Sequence, residues 1–228
     1  CDFDVADWSK SQCLCDFYTY TANVLNYGIE FESDKCLQAL QGRVYTPAFE
    51  KFELERFYLE TGGDHWRIGW ADDDNHCEWF GLACNANGFI TKINLRNNNL
   101  TGIGSIYRLE LPELTTLDLA ENKLSGTVYS GVTLFLQKLV HIDISNNEFS
   151  GHADMTFSPA TLHANFSHNK FTSAGFKRFN AAYETLQVVD LRNNDIDQAA
   201  SGVFLNVPPN LEELILSNNA IRGAFPVP

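Results

Sequence analysis

The sequence predicts an α/β solenoid: short parallel strands stacked one per repeat, preceded by a helical N-terminal cap. Three observations predict it. One hydrophobic pattern returns six times at near-constant spacing from residue 90 onward. All six cysteines fall at or before position 84. The formal net charge of −13 is uneven: residues 1–89 hold 16 acids against 6 bases, and residues 90–228 hold 13 against 10. The 228 residues are 44% hydrophobic, which excludes a disordered chain and leaves enough apolar material for a core. No run of about 18 apolar residues occurs, so no helical membrane-spanning segment is expected. Excess negative charge argues against nucleic acid as a partner.

The repeat reads apolar, two residues, apolar, one, apolar, two, Asn, one, apolar. Its copies run from Ile90 to Leu100, Leu114 to Leu124, Leu139 to Phe149, Thr161 to Phe171, Leu186 to Ile196 and Leu211 to Ile221. The fourth copy is degenerate, with Thr161 and Ala164 at apolar positions. Within each copy the alternation around the middle residues predicts a strand with one buried face. Each copy buries its apolar residues only against its neighbours. Asn98, Asn122, Asn147, Asn169, Asn194 and Asn219 form a structural ladder. A buried carboxamide both donates and accepts, so it can satisfy the backbone where the chain turns inward after the strand.

The pattern resembles the leucine-rich repeat family, L-x-x-L-x-L-x-x-N-x-L, over about 139 residues of array. That resemblance implies a right-handed superhelix with a parallel concave β-sheet, and ligands meeting the concave face. The tails Leu100-Thr101-Gly102, Leu124-Ser125-Gly126 and Phe149-Ser150-Gly151 resemble the L-[TS]-G of the plant-type subclass. The x-Ile-Pro that usually follows is approached only at Gly223-Ala224-Phe225-Pro226. Loops or short turns are therefore expected on the convex side, in place of a second set of strands.

Residues 46–88 read as the cap. Thr46 and Pro47 start a helix that Gly62 ends, with Leu54, Phe57, Tyr58 and Thr61 on one stripe and Phe49 and Phe52 off it. Cys77-Glu78-Trp79-Phe80-Gly81-Leu82-Ala83-Cys84 resembles the C-x-W-x-G-V-x-C cap of cell-surface leucine-rich repeat proteins, with Leu82 in place of Val. The resemblance implies a disulfide between Cys77 and Cys84, a gain of about 2–3 kcal/mol by loop closure. Residues 1–45 read as a Cys-rich helical extension. There Cys13 and Cys15 point apart on a helix and take different partners from Cys1 and Cys36, in either pairing. A zinc site from these four is disfavoured, because C-x-C is not a common zinc spacing. Residues 89–228 are six repeats, expected to continue past Pro228 because no cap covers the last leucines.

Disulfides imply an oxidising compartment, and so an extracellular or cell-surface location. Two N-glycosylation triplets, Asn99-Leu100-Thr101 and Asn165-Phe166-Ser167, agree with it. Asn99 is expected to point outward and Asn165 to project from the concave sheet. The chain lacks an initiator Met and a signal peptide and reads as already processed. A lipidated N-terminal Cys would leave an odd thiol count and is set aside.

The outward positions fall into four columns. Lys92, Thr116, His141, His163, Val188 and Glu213 make the first; Asn94, Asp118, Asp143, Asn165, Asp190 and Ile215 the second. Arg96, Ala120, Ser145, Ser167, Arg192 and Ser217 make the third; Asn97, Glu121, Asn146, His168, Asn193 and Asn218 the fourth. The candidate ligand-binding residues are Lys92, Asn94, Arg96, Thr116, Asp118, Glu121, His141, Asp143, His163, His168, Asp190, Arg192 and Glu213. His141 and His163 should be neighbours, with Asp143 and His168 close by. A solvated polar face is the expectation for them, so no metal is assigned. Asp72-Asp73-Asp74-Asn75 lacks the EF-hand spacing and reads as a solvated loop. No G-x-S-x-G, H-E-x-x-H or P-loop occurs, so neither enzymatic activity nor a cofactor is expected. The expected role is a binding module for a protein or glycan partner, with a structural part in a larger extracellular assembly as the alternative.

Overall fold

In the computed structural model the chain divides at Tyr45 into two units. The structure describes residues 46–70, 75–103, 106, 109–128, 136–154, 158–176 and 185–224. The expectations for Cys1, Cys13, Cys15, Cys36, the acidic loop at 72–74 and the end of the sixth repeat lie outside these residues.

The cap begins with helix α1, Pro47–Glu60. Thr46 caps it, its Oγ1 accepting from the Phe49 N–H at 3.4 Å. Thr61 and the left-handed Gly62 (φ 71°) end it. Leu54 and Phe57 are buried as their spacing predicts, but the stripe also contains two carboxylates, Glu50 and Glu53. Glu50 is 0% exposed, and its Oε2 accepts from the Ile90 N–H at 2.6 Å. A core-facing acid on α1 thus holds the first backbone donor of the parallel sheet. Phe52, in contrast, is 59% exposed.

The aromatic residues of the cap pack on one another. Trp70 stacks on Trp79 at 5.1 Å and meets Trp66 edge-on at 4.9 Å, and Tyr58 meets Trp66 at 4.9 Å. The indole N–H groups of Trp66 and Trp70 donate to the carbonyls of Thr61 and Phe80. Cys77 and Cys84 form a disulfide. Gly81 must be glycine: at φ 79° a Cβ would lie 2.1 Å from the Asn94 carbonyl oxygen.

Among the described residues the strands are β1 Leu82–Cys84, β2 Ile90–Asn94, β3 Thr116–Asp118, β4 Ser125–Thr127, β5 His141–Asp143, β6 Glu148–Asp154, β7 His163–Asn165, β8 Lys170–Gly175, β9 Val188–Asp190 and β10 Glu213–Ile215. The first sheet runs β1-β2-β3-β5-β7-β9-β10. β1 pairs antiparallel to β2 and the rest are parallel. Every repeat contributes one strand to this sheet, in the register the apolar spacing predicts: Ile93↔Leu117, Leu117↔Ile142, Ile142↔Ala164, Ala164↔Val189 and Val189↔Leu214.

The convex side corrects the expectation of loops and turns. β4, β6 and β8 make a second, parallel three-stranded sheet. Its first rungs are backbone bonds between tails: Lys123 N–H to Leu100 O at 2.8 Å, Ser125 N–H to Gly102 O at 2.9 Å and Glu148 N–H to Leu124 O at 2.7 Å. Missing Ile-Pro does not prevent this, because the ladder uses main-chain groups that the repeat spacing already brings alongside. In the fifth repeat a four-residue helix, α2 (Ala200–Val203), occupies the place of a further strand.

The Asn ladder runs between the sheets. Asn122 Nδ2 donates to the carbonyls of Leu95, Leu119 and Ala120, and its Oδ1 accepts from the N–H groups of Asn98 and Leu100. Asn147, Asn169, Asn194 and Asn219 repeat the pattern one turn further on each time. Asn98, the first rung, has no preceding repeat and bonds reciprocally to both backbone groups of Ile68 in the cap.

A half-buried acid makes stability depend on pH. Burial raises the Glu110 carboxyl to about 7. A raised folded-state value means that Glu110 favours the fold fully below its unfolded value near 4.5, and that this is lost as pH rises through 7. Glu110→Gln should therefore raise the stability at pH 8, by up to about 3 kcal/mol, and with it the melting temperature, and leave both nearly unchanged at pH 4.5. Thermal melts of both proteins at the two pH values check this; an equal effect at both would exclude the buried charge as its origin.

Candidate functional site on the concave sheet

Strand register brings Lys92, Thr116, His141, His163, Val188 and Glu213 into one row, and Asn94, Asp118, Asp143, Asn165, Asp190 and Ile215 into the next. Between the middle strands lies a groove of about 480 Å³ with Thr116, His141, His163 and Val188 on its floor.

The second row has a local structural task. One side-chain oxygen of Asn94, Asp118, Asp143, Asn165 and Asp190 accepts from the backbone N–H two residues on. These side chains close the turn at the end of the first five repeat strands, which explains why those five positions are Asp or Asn, whereas the sixth carries Ile215. Spacing alone makes them a line of ligand-facing carboxylates and carboxamides; the Asp or Asn that forms this turn is present in the first five copies. Only the second oxygen of each Asp faces outward. Asp190 is 8% exposed, because Arg192 lies over it with Nε at 2.7 Å from Oδ2.

Half of the third row is inside. Ala120, Ser145 and Ser167 are buried, which corrects their placement on the outer face; Arg96, Arg192 and Ser217 are exposed. The fourth row is left-handed throughout, with φ between 53° and 59° at Asn97, Glu121, Asn146, His168, Asn193 and Asn218. Asn tolerates this conformation best, so its prevalence there is conformational. Glu121 and His168 are the exceptions.

Three groups emerge. Arg96 reaches across two neighbouring strands, with Nε 3.0 Å from Asp118, Nη1 2.9 Å from Glu121 and Nη2 2.7 Å from Asp143. Burial opposes its charge, but the hydrogen bonds it donates to Asp118 and Glu121 outweigh that and hold the guanidinium above its ordinary range. His141 and His163 stack with centroids 4.8 Å apart and planes 17° apart. His168 Nε2 contacts Asn193 Nδ2 at 3.0 Å, and Asn218 Nδ2 donates to Asn193 Oδ1 at 2.7 Å. His168 thus joins an amide chain on the later repeats, separate from the histidine pair. Lys92 and Glu213 are exposed at the two ends of the first row. Asn165 Nδ2 lies 3.3 Å from Asp143 Oδ2, and Asn99 is half-buried with Nδ2 donating to the His65 carbonyl at 2.8 Å.

A different cluster lies in the cap. His76, Cys77 and Cys84 bring their ligand-type atoms within 4.8 Å of one another. Both sulfurs are in the disulfide, so the cluster offers no thiolate to a metal. Burial lowers the His76 imidazole below its usual range.

Comparison with known proteins agrees with this architecture. The family model described as leucine rich repeat matches residues 90–149. The chain is a leucine-rich repeat protein. It is 31% identical over 170 residues to the receptor-like protein kinase BRI1-like 3 of Arabidopsis thaliana, an alignment covering 71% of this chain and 14% of that protein. The chain spans about one seventh of the length of that curated relative. Among solved structures, the repeat array resembles the ectodomain of the Arabidopsis receptor kinase HAESA in complex with an N-terminally extended IDA peptide hormone. The TM-score is 0.65 at 21% identity, over 78% of this chain and 30% of that one. The same receptor with IDA and the co-receptor SERK1 gives 0.63 at 21% identity, over 76% and 30%. These structural likenesses bear on the leucine-rich repeat fold. Among the described residues, no helix is long and apolar enough to cross a membrane.

Proposed function

We propose that this leucine-rich repeat chain is a non-catalytic extracellular binding module, and that its concave sheet takes an extended peptide or a protein surface. The carrying observation is the groove between β3 and β9. Its polar side chains come from successive strands at one register, with the Arg96 network at one end and the Asp190–Arg192 pair at the other. An extended chain laid across the strands meets a new side chain about every 4.8 Å. The HAESA structures, in which the comparable ectodomain is crystallised with a peptide hormone, support the same use of this fold. An oxidising compartment is supported by the Cys77–Cys84 disulfide and by the receptor-like relatives. Asn99 is the proposed glycan acceptor; Asn165 lines the groove, where a glycan would block an extended ligand, so peptide mapping of the secreted protein with and without glycosidase should find Asn165 unmodified.

Panning a displayed peptide library against the native chain tests the site. Charge reversal at Arg96 and Arg192 on the concave face should weaken selected binders by at least about tenfold. Charge reversal at Lys170, exposed on the convex sheet and paired with Glu148, should leave them unchanged. The opposite pattern would move the binding surface to the convex side and reject the proposal.

A further inference from the structure

The stacked histidines belong to the part of the concave face that neither the repeat fold nor its turns require. His141 and His163 are direct register partners on β5 and β7, both parallel strands of the first sheet. Their rings lie 4.8 Å apart, which is the strand spacing itself, and they form part of the groove floor with Thr116 and Val188 on either side. Of the buried side-chain nitrogens and oxygens among the described residues, only His76 Nε2 and His163 Nδ1 make no hydrogen bond. A buried polar atom left without a partner costs about 1–3 kcal/mol, so such an atom beside a second imidazole needs a physical reason.

We propose that His141 and His163 together bind one first-row divalent transition-metal ion, Cu²⁺ or Zn²⁺, through one nitrogen of each ring. Two imidazoles one strand spacing apart can converge on a common ion at about 2.0–2.1 Å from each nitrogen by rotating about χ1 and χ2. No backbone movement is required, because the parallel ladder already sets the separation. The rotation unstacks the rings and gives His163 Nδ1 either the metal or water as a partner. Imidazole is the ligand that suits Zn²⁺ and Cu²⁺ and has little to offer Mg²⁺ or Ca²⁺. Partial desolvation against the groove, reinforced by repulsion from His163, lowers the His141 imidazole below its usual range, which favours the neutral, metal-binding form. Asp143 and Asn165 follow two residues later on the same strands, but their polar atoms are engaged by their own turns, by Arg96 and by each other, so the two imidazoles are the protein donors of this site. The groove is open to solvent, which leaves the remaining coordination positions for water or for a donor atom of a bound molecule. This inference does not depend on the concave face binding a peptide, since the metal alone is the probe.

The test is a calorimetric titration of the untagged chain with CuCl₂, ZnCl₂ and MgCl₂ at pH 7.5, paired with electron paramagnetic resonance of the copper form. One ion per chain is expected at this site, with Cu²⁺ tighter than Zn²⁺ and no Mg²⁺ binding. The copper spectrum should report two imidazole nitrogens. His141→Phe and His163→Phe keep a flat ring in each place; each should weaken this site at least about tenfold, and lowering the pH to 5 should do the same by protonating the imidazoles. Parallel melting curves establish that the variants are folded, and His141→Asn replaces any that are not. Unchanged affinity in folded variants of both positions, or a copper spectrum with two imidazoles that survives both substitutions, would overturn the proposal.

Discussion

Asn122→Ala is expected to destabilise the array by about 3–5 kcal/mol, read as a fall in the urea midpoint of the intact chain. The side chain is small, yet it bonds three carbonyls through Nδ2 and two N–H groups through Oδ1, across two repeats. Alanine removes all five bonds in a place water does not reach, and each orphaned backbone group costs about 1–3 kcal/mol before relaxation. Relaxation recovers part of this, which is why the sum is not taken in full. Asn122→Asp is the informative companion. It keeps the acceptor for Asn98 and Leu100 but faces three carbonyls with a carboxylate, so it should be no better than alanine at pH 7 and should recover as the pH falls and the acid protonates. A loss under about 1 kcal/mol for Asn122→Ala would mean that water or a shifted backbone replaces the ladder.

Phe171→Ala is expected to cost a similar 3–5 kcal/mol, by a different mechanism. Phe171 is 0% exposed, lies parallel to Phe149 at 6.5 Å and meets Phe166 at 5.9 Å. These three rings pack together across the third and fourth repeats, and the fourth also carries small residues at apolar positions. Thr161 and Ala164 stand where the other copies have larger apolar groups, and Thr161 Oγ1, like Ser158 Oγ, donates to the Leu139 carbonyl. Removing the central ring opens a cavity between two repeats, and neighbours that already lack bulk have little to close it with. Phe171→Leu should recover more than half of the loss. Chemical denaturation of the two variants beside the parent gives the comparison. Because each repeat rests on its neighbours, a broadened transition is expected as well, with repeats on one side of the defect unfolding before the other.

Much of the molecule is legible in one dimension because the array is nearly one-dimensional. The strand positions of all six repeats, their register and the row membership of His141, His163, Asp118 and Asp143 follow from the apolar spacing. Only one register puts every leucine position of a period-2 strand inside. Three kinds of feature were not legible. The convex sheet depends on main-chain groups meeting between repeats, and no side chain advertises them. The burial of Ala120, Ser145 and Ser167 depends on how tightly the chain turns after the strand, which alternation does not encode. The role of Glu50 depends on a meeting of α1 with β2, 40 residues apart, at a single backbone N–H.

The site divides the same way. Residue type and spacing place Arg96, Asp118, Glu121 and Asp143 on one face, while distance decides that they form one ion cluster. Spacing likewise placed His168 near the histidine pair, whereas the left-handed backbone at His168 directs it to Asn193.

The uneven charge and the six-fold pattern therefore have different standing. Sequence by itself determined the repeat, its period, the side chains that face inward on each strand and the asparagines that close each turn, because these are local periodicities that a parallel stack merely copies. Tertiary structure alone decided which outward side chains are still free to meet a partner. One oxygen of each second-row Asp is taken by its own turn, Asp190 is covered by Arg192, and Asp118 and Asp143 are held by Arg96. Hydrogen bonds and ion pairs between neighbouring repeats act over a few ångströms in space, and a sequence pattern records which residues share a face but not which of them have already found each other.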